Sequence, residues 1–189
     1  GDGIGQLAMV LANGHYVAGS HLWDNDGDTD AGAIIWCSGL AGCTGALTAA
    51  TGLHGGPGDR AGSSGVTPLA NGSYLVRSPL IDTVAFGNVG AVTWCSGTAL
   101  CSGRIDTGNS RMGGTALDRI GQETPVELPG APMLAWVVSP AVPMSSCGVP
   151  SSLQAEIAAA TSNDARSCVL YINARMVEDP PPQSRRGRN

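Results

Sequence analysis

The chain has 189 residues, a formal charge of −5, 42% hydrophobic and only 13% charged residues, 28 glycines, and ten arginines with no lysine. That balance excludes a disordered chain, which needs low hydrophobicity and high charge, and a general nucleic-acid binder, which needs a basic surface. No run approaches the roughly 18 apolar residues of a membrane span, and a chain of this length hides about two thirds of its unfolded surface, enough for a real core. The start carries no basic residue followed by an apolar stretch, so the expectation is a chain from which any signal peptide has been removed.

Reading from the N-terminus, two segments align at an offset of 58 residues. Leu11-Ala12-Asn13-Gly14-His15-Tyr16 matches Leu69-Ala70-Asn71-Gly72-Ser73-Tyr74. Gly32-Ala33-Ile34-Ile35-Trp36-Cys37-Ser38-Gly39 matches Gly90-Ala91-Val92-Thr93-Trp94-Cys95-Ser96-Gly97, and after one inserted residue Asp59-Arg60-Ala61-Gly62 matches Asp118-Arg119-Ile120-Gly121. A third copy opens at Val126 and decays after Ser139-Pro140, the counterpart of Ser78-Pro79. A fixed period of this size means supersecondary units that stack to bury a shared core.

Within each unit the pattern predicts four short strands. Val66 to Ala70 and Ser73 to Arg77 flank Asn71-Gly72, a strong hairpin signal of the type I′ kind. A second hairpin is expected from Gly90 to Cys95 and Cys101 to Asp106. The fold class is therefore all-β: about two and a half four-stranded antiparallel repeats of ~58 residues, propeller-blade-like or otherwise stacked. A solenoid or sandwich stays open. The expected organisation is a β-repeat region over 1–146, with repeat one at 7–64, repeat two at 65–122 and a degenerate repeat three at 123–146. A disulfide-closed helix–strand cap follows at 147–179, then a Pro/Arg tail at 180–189.

The six cysteines fall into pairs. Cys37 with Cys43 and Cys95 with Cys101 each span a tight turn at equivalent repeat positions, within disulfide reach. Cys147 with Cys168 remains. The C-x5-C spacing is wider than that of zinc pairs, and of the three histidines only His54 lies near a cysteine pair. Disulfides imply an oxidising compartment. Inside the third loop, Ser151 and Gln154 have capping-box spacing. Leu153, Ile157 and Ala160 share a face of a helix expected to end near Asn163, and Val169 to Val177 reads as a closing strand.

Candidate sites are few. Asp24, Asp26, Asp28 and Asp30 alternate as in calcium loops, although a glycine and a distal glutamate of that motif are missing; calcium is the one candidate cofactor, and it would belong to copy one alone. Trp36 and Trp94 recur in register, as packing positions do. Trp23 and Trp136 do not, which makes them candidates for stacking on a sugar ring. No nucleophile elbow, metalloprotease helix, Walker loop or dinucleotide fingerprint is present, and His15, His21 and His54 do not recur between copies. No catalytic residue is expected; a secreted hydrolase is the weakest of the readings.

The segments "NGSYLVRSP…GAVTW" in copy two and "NGHYVAGSHLWDNDGDTDAGAIIW" in copy one resemble repeats of large bacterial secreted and surface proteins of the filamentous-haemagglutinin-associated type. Asn13, Gly14, Tyr16, Trp23, Asn25, Gly32 and Trp36 carry the resemblance in copy one. Asn71, Gly72, Tyr74, Ser78, Pro79, Gly90 and Trp94 carry it in copy two. The resemblance spans residues 7–140 and implies an extracellular or cell-surface setting, with no activity attached. Cysteines stand where that family has small or polar turn residues, and the last 50 residues have no counterpart.

Taken together, these readings predict an extracellular, disulfide-stapled β-repeat protein with a structural, adhesive or assembly role. Its expected partners are copies of itself, with a surface glycan as the alternative, and no nucleic acid or membrane span. Two and a half units leave sheet faces and edges exposed, and exposed edges template pairing with another chain.

Overall fold

The computed structural model of the chain describes residues 2–127 and the strand segments 133–138 and 168–173. Repeat one contributes β1 (Leu7–Val10), β2 (Tyr16–Ser20), β3 (Ala33–Cys37) and β4 (Leu53–His54). Repeat two contributes β5 (Val66–Pro68), β6 (Tyr74–Ser78), β7 (Ala91–Cys95), β8 (Gly103–Arg104) and β9 (Ser110–Met112). Beyond them come β10 (Val126–Glu127), β11 (Met133–Val138) and β12 (Cys168–Asn173). These strands form three sheets in the orders β1-β2-β3-β4-β8, β5-β6-β7-β9 and β10-β11-β12. The described residues contain no helix, so the architecture is all-β with tandem repeats. The helix expected over 151–163 and the side chains of the expected Cys147–Cys168 bridge lie outside the described residues.

The repeat is visible in the registers. Tyr16 faces Cys37 and Val17 faces Trp36, just as Tyr74 faces Cys95 and Leu75 faces Trp94. Two details differ from expectation. The first is the Asn-Gly turn: only the glycines are left-handed (Gly14 φ 83°, Gly72 φ 86°). The Gly14 amide donates to Leu11 O and the Leu11 amide to His15 O. This is a three-residue hairpin with the glycine in the bulge position, which spares Asn13 and Asn71 a positive φ. The second is the partner of β7. The Cys95–Cys101 bridge reverses the chain at the end of β7, and Gly103–Arg104 then leaves repeat two altogether. It pairs in parallel with β4 of repeat one, while β9 takes its place beside β7. The outer edge of β4 would otherwise present unpaired Gly52 and His54 carbonyls, and the excursion covers it.

Because side chains alternate along a strand, each sheet has a trailing face, turned toward the next repeat, and a leading face. Val17, Ile34, Trp36 and Leu53 lie on the trailing face of sheet one. Tyr74, Val76, Ala91 and Cys95 lie on the leading face of sheet two. These two faces merge, with Leu11, Ala61, Val66, Ile81 and Ile105, into the main core. The trailing face of sheet two carries a second cluster of Leu69, Leu75, Val92 and Ile120 with Trp94 against it. The leading face of sheet one carries a small one, Trp23 with Ala31, Ala33 and Leu47. Face-to-face stacking of consecutive sheets is how this sequence buries its β-strands.

Candidate functional site

The most elaborated region is the contact between the two repeats, where the apolar core is bordered by a set of directional bonds. The Gly97 carbonyl of repeat two accepts from Trp36 Nε1 at 2.9 Å and from Asn13 Nδ2 at 2.8 Å. The Asn13 side chain lies against Gly72, and a Cβ on Gly97 would collide with the Gly72 carbonyl, so glycine is required there. On the opposite margin the Gly103 amide donates to Gly52 O (3.0 Å) and the Ile105 amide to His54 O (2.8 Å). The Gly62 amide donates to Ser78 Oγ at 2.9 Å.

Asp59 completes the set. It is 3% exposed and accepts from the Gly56 amide at 2.6 Å and from the Asp82 amide of repeat two at 2.9 Å. Burial raises its carboxyl above the ordinary range; the two amide bonds and the Arg104 guanidinium partly offset this, while the Asp82 charge adds to it. A Cβ on Gly56 would overlap the Arg104 guanidinium, which lies across this corner. Burial likewise pushes the Tyr74 hydroxyl up.

Both hairpin disulfides are formed, Cys37–Cys43 and Cys95–Cys101, with Cα–Cα separations of 5.1 and 5.7 Å. Cys168 opens β12; Cys147 lies outside the described residues. The acidic loop is a two-residue hairpin: the Asn25 and Asp28 backbones exchange both bonds, with Asp26 (φ 45°) and Gly27 (φ 112°) left-handed at its tip. Asp24 Oδ1 accepts from the Asp30 amide, and Asp30 pairs with Arg60 at 2.7 Å. Among the described residues no three carboxylates, histidines or cysteines converge as a metal cage would need.

Trp23 is buried at 6% exposure and meets His54 edge-on, ring centroids 6.2 Å apart. Its face is covered, which leaves no platform for a sugar. Trp136 sits in β11 opposite Leu170. His15 packs against Trp36 at 4.9 Å and accepts from the Gly39 amide. His54 shares a bond with Gly55 O. His21 and Ser63 line one open depression beside Gln6, yet no hydrogen bond joins them, so among the described residues the nucleophile–base contact of a hydrolase is missing.

Sequence reasoning named Trp36 and Tyr74 as contact positions and missed Asn13, Gly97, Asp59 and Arg104. The signal for three of them was there: Asn13/Asn71, Gly39/Gly97 and Asp59/Asp118 all recur in register. Arg104 has no counterpart in repeat one, where Ala46 stands, so only the packed repeats reveal it.

Comparison with known proteins gives one result that bears on identity. A repeat of unknown function, DUF5650, matches twice, at residues 10–63 and 68–122. The matches cover more than half of the chain, so it belongs to that repeat family. No curated protein and no solved structure matches.

Proposed function

We propose that this member of the DUF5650 repeat family is an extracellular structural module, stapled by disulfides, that assembles with copies of itself. The observation that carries the reading is the repeat-to-repeat contact. Its polar bonds run largely through backbone atoms and through residues that recur in register, so each unit is built to receive another. The two formed disulfides favour an oxidising compartment. The resemblance to filamentous-haemagglutinin-associated repeats favours a bacterial surface or secreted setting. The reading assigns no catalysis and no cofactor. The glycan alternative draws no support from Trp23, whose ring is buried.

The test is to fractionate the organism that makes the protein and map its cysteines without reduction. The expected result is protein in the medium or on the cell surface with Cys37–Cys43 and Cys95–Cys101 bridged. Cytoplasmic protein with free thiols at those four positions overturns the localisation. A strictly monomeric native protein overturns the assembly role.

A further inference from the structure

We infer that the leading face of sheet one is a docking surface for a second copy of this chain, stacked head to tail so that the copy's last sheet takes the position that repeat one holds against repeat two. The inference rests on the assembly reading above and gives it a surface, an orientation and named atoms.

The molecule contains its own template for this contact. On the leading face of sheet two, Val66, Tyr74, Val76, Thr93 and Ile105 are 0–6% exposed because sheet one covers them. Their counterparts on sheet one, 58 residues earlier, are Ala8, Tyr16, Ala18, Ile35 and Leu47. Ala8 is exposed and the other four are only half-buried. The same topology thus presents the same apolar face twice, once covered and once not.

The polar half of the contact is in place as well. The receiving atoms in repeat two are Gly97 O, Gly103 N, Ile105 N and Asp82 N. The equivalent atoms in repeat one are Gly39 O, Gly45 N, Leu47 N and Asp24 N. Among the described residues, none of these four has a hydrogen-bond partner. The backbone is already set for the strand addition: Gly45 has φ 89° where Gly103 has φ 100°. A pair of free amides in strand geometry beside an apolar face is an edge prepared for pairing.

The chain itself supplies an occupant of the right kind. In the third sheet Leu134 faces Ile172, Ala135 faces Tyr171 and Val137 faces Val169. This repeats the register in which Tyr74 faces Cys95, Leu75 faces Trp94 and Arg77 faces Val92. Ala135, Val137, Val169 and Tyr171 therefore occupy the trailing-face positions of the third sheet, as Val17, Gly19, Ile34 and Trp36 do in sheet one. All four are apolar or aromatic, whereas sheet two has Arg77 and Arg111 among its trailing positions. A leading face at one end and a trailing face at the other are different surfaces, so their contact is heterologous and propagates as a linear array unless the rotation closes a ring.

The experiment follows mass against concentration for the full oxidised chain by sedimentation and light scattering, from low micromolar to a few hundred micromolar. Hydrogen exchange at the Gly45 and Leu47 amides is read at both ends of that range. The wild type is expected to rise above the 19.0 kDa monomer, with both amides slowing only in the concentrated sample. Ala8→Arg puts a charge into the docking face at an exposed position and is expected to weaken association at least about tenfold. Val84→Arg, on an exposed loop of repeat two, is expected to leave association unchanged, and melting curves of both variants confirm the fold. Equal association of wild type and Ala8→Arg, or amide exchange that ignores concentration, overturns this surface and leaves the assembly reading standing. A monomer throughout retires both.

Discussion

Asp59 and Asp118 hold the same corner of the two repeats and do the same local work, each accepting an amide bond from the glycine three or four residues earlier. Their carboxyls are nevertheless pushed in opposite directions. Asp59 lies under repeat two, and burial raises it. Asp118 is only lightly buried; that burial pushes upward, but bonds from the Thr115 hydroxyl, the Thr115 amide and the Gly114 amide outweigh it and hold the group low. The tryptophans divide the same way. Trp36 Nε1 donates to Gly97 O, while the equivalent Trp94 Nε1 is buried with no partner. One sequence unit, used twice, yields two chemistries according to whether a complete repeat follows it.

That comparison is tested most strongly at the position where the repeats differ most. Leu53 is 1% exposed in the main core and its counterpart Arg111 is exposed. Leu53→Ala is expected to cost about 2–5 kcal/mol in urea unfolding, and Arg111→Ala no more than about 0.5 kcal/mol. Comparable losses would mean that the two repeats are not stacked with repeat one covering repeat two.

The disulfides come next. Both close loops of the same sequence separation, six residues, so the chain-entropy model gives each about 2 kcal/mol. Replacing either pair with serine is expected to lower stability by similar amounts. A clearly larger loss for Cys95–Cys101 would show that this bridge also holds the β8 excursion onto sheet one.

Smaller effects are expected at the tryptophans. Trp36→Phe gives up the bond to Gly97 O and should cost about 1 kcal/mol. Trp94→Phe removes a buried donor that has no acceptor, and should be neutral or slightly stabilising. The reverse order would show that Trp94, and not Trp36, sits in the complete contact.

The gentlest probe is pH. A raised carboxyl such as Asp59 contributes stability that is present below the unfolded-state value and lost as pH rises through its folded value. The lowered Asp118 contributes stability that is present above the unfolded-state value and lost as pH falls through its folded value. Asp59→Asn is therefore expected to reduce the stability lost on raising pH through the carboxylate range, and Asp118→Asn to reduce the loss on lowering it. Carboxyl titrations followed by NMR, with urea unfolding at several pH values, decide between these outcomes; shifts of the same sign would contradict the difference in burial.

Much of the fold was legible because it is local. The Asn-Gly hairpins, the Tyr/Trp register and the two C-x5-C bridges close over a few residues, so turn chemistry and spacing suffice to place them. The acidic loop shows the limit of spacing alone. Alternating aspartates suggested a ligand cage, but Asp26-Gly27 takes the tip of a two-residue turn and the carboxylates do not converge.

By itself, then, the sequence determined an all-β chain of tandem ~58-residue units with hairpin disulfides, since repetition and short-range closure are written residue by residue. Tertiary structure alone decided three other things: that Gly103–Arg104 pairs across to β4, that Asp59 and not Asp118 is buried, and that Asn13 and Trp36 share one carbonyl. The physical reason is range. A two-residue strand carries no periodicity of its own, and whether a carboxylate or an indole N–H finds a partner depends on a sheet that arrives tens of residues later.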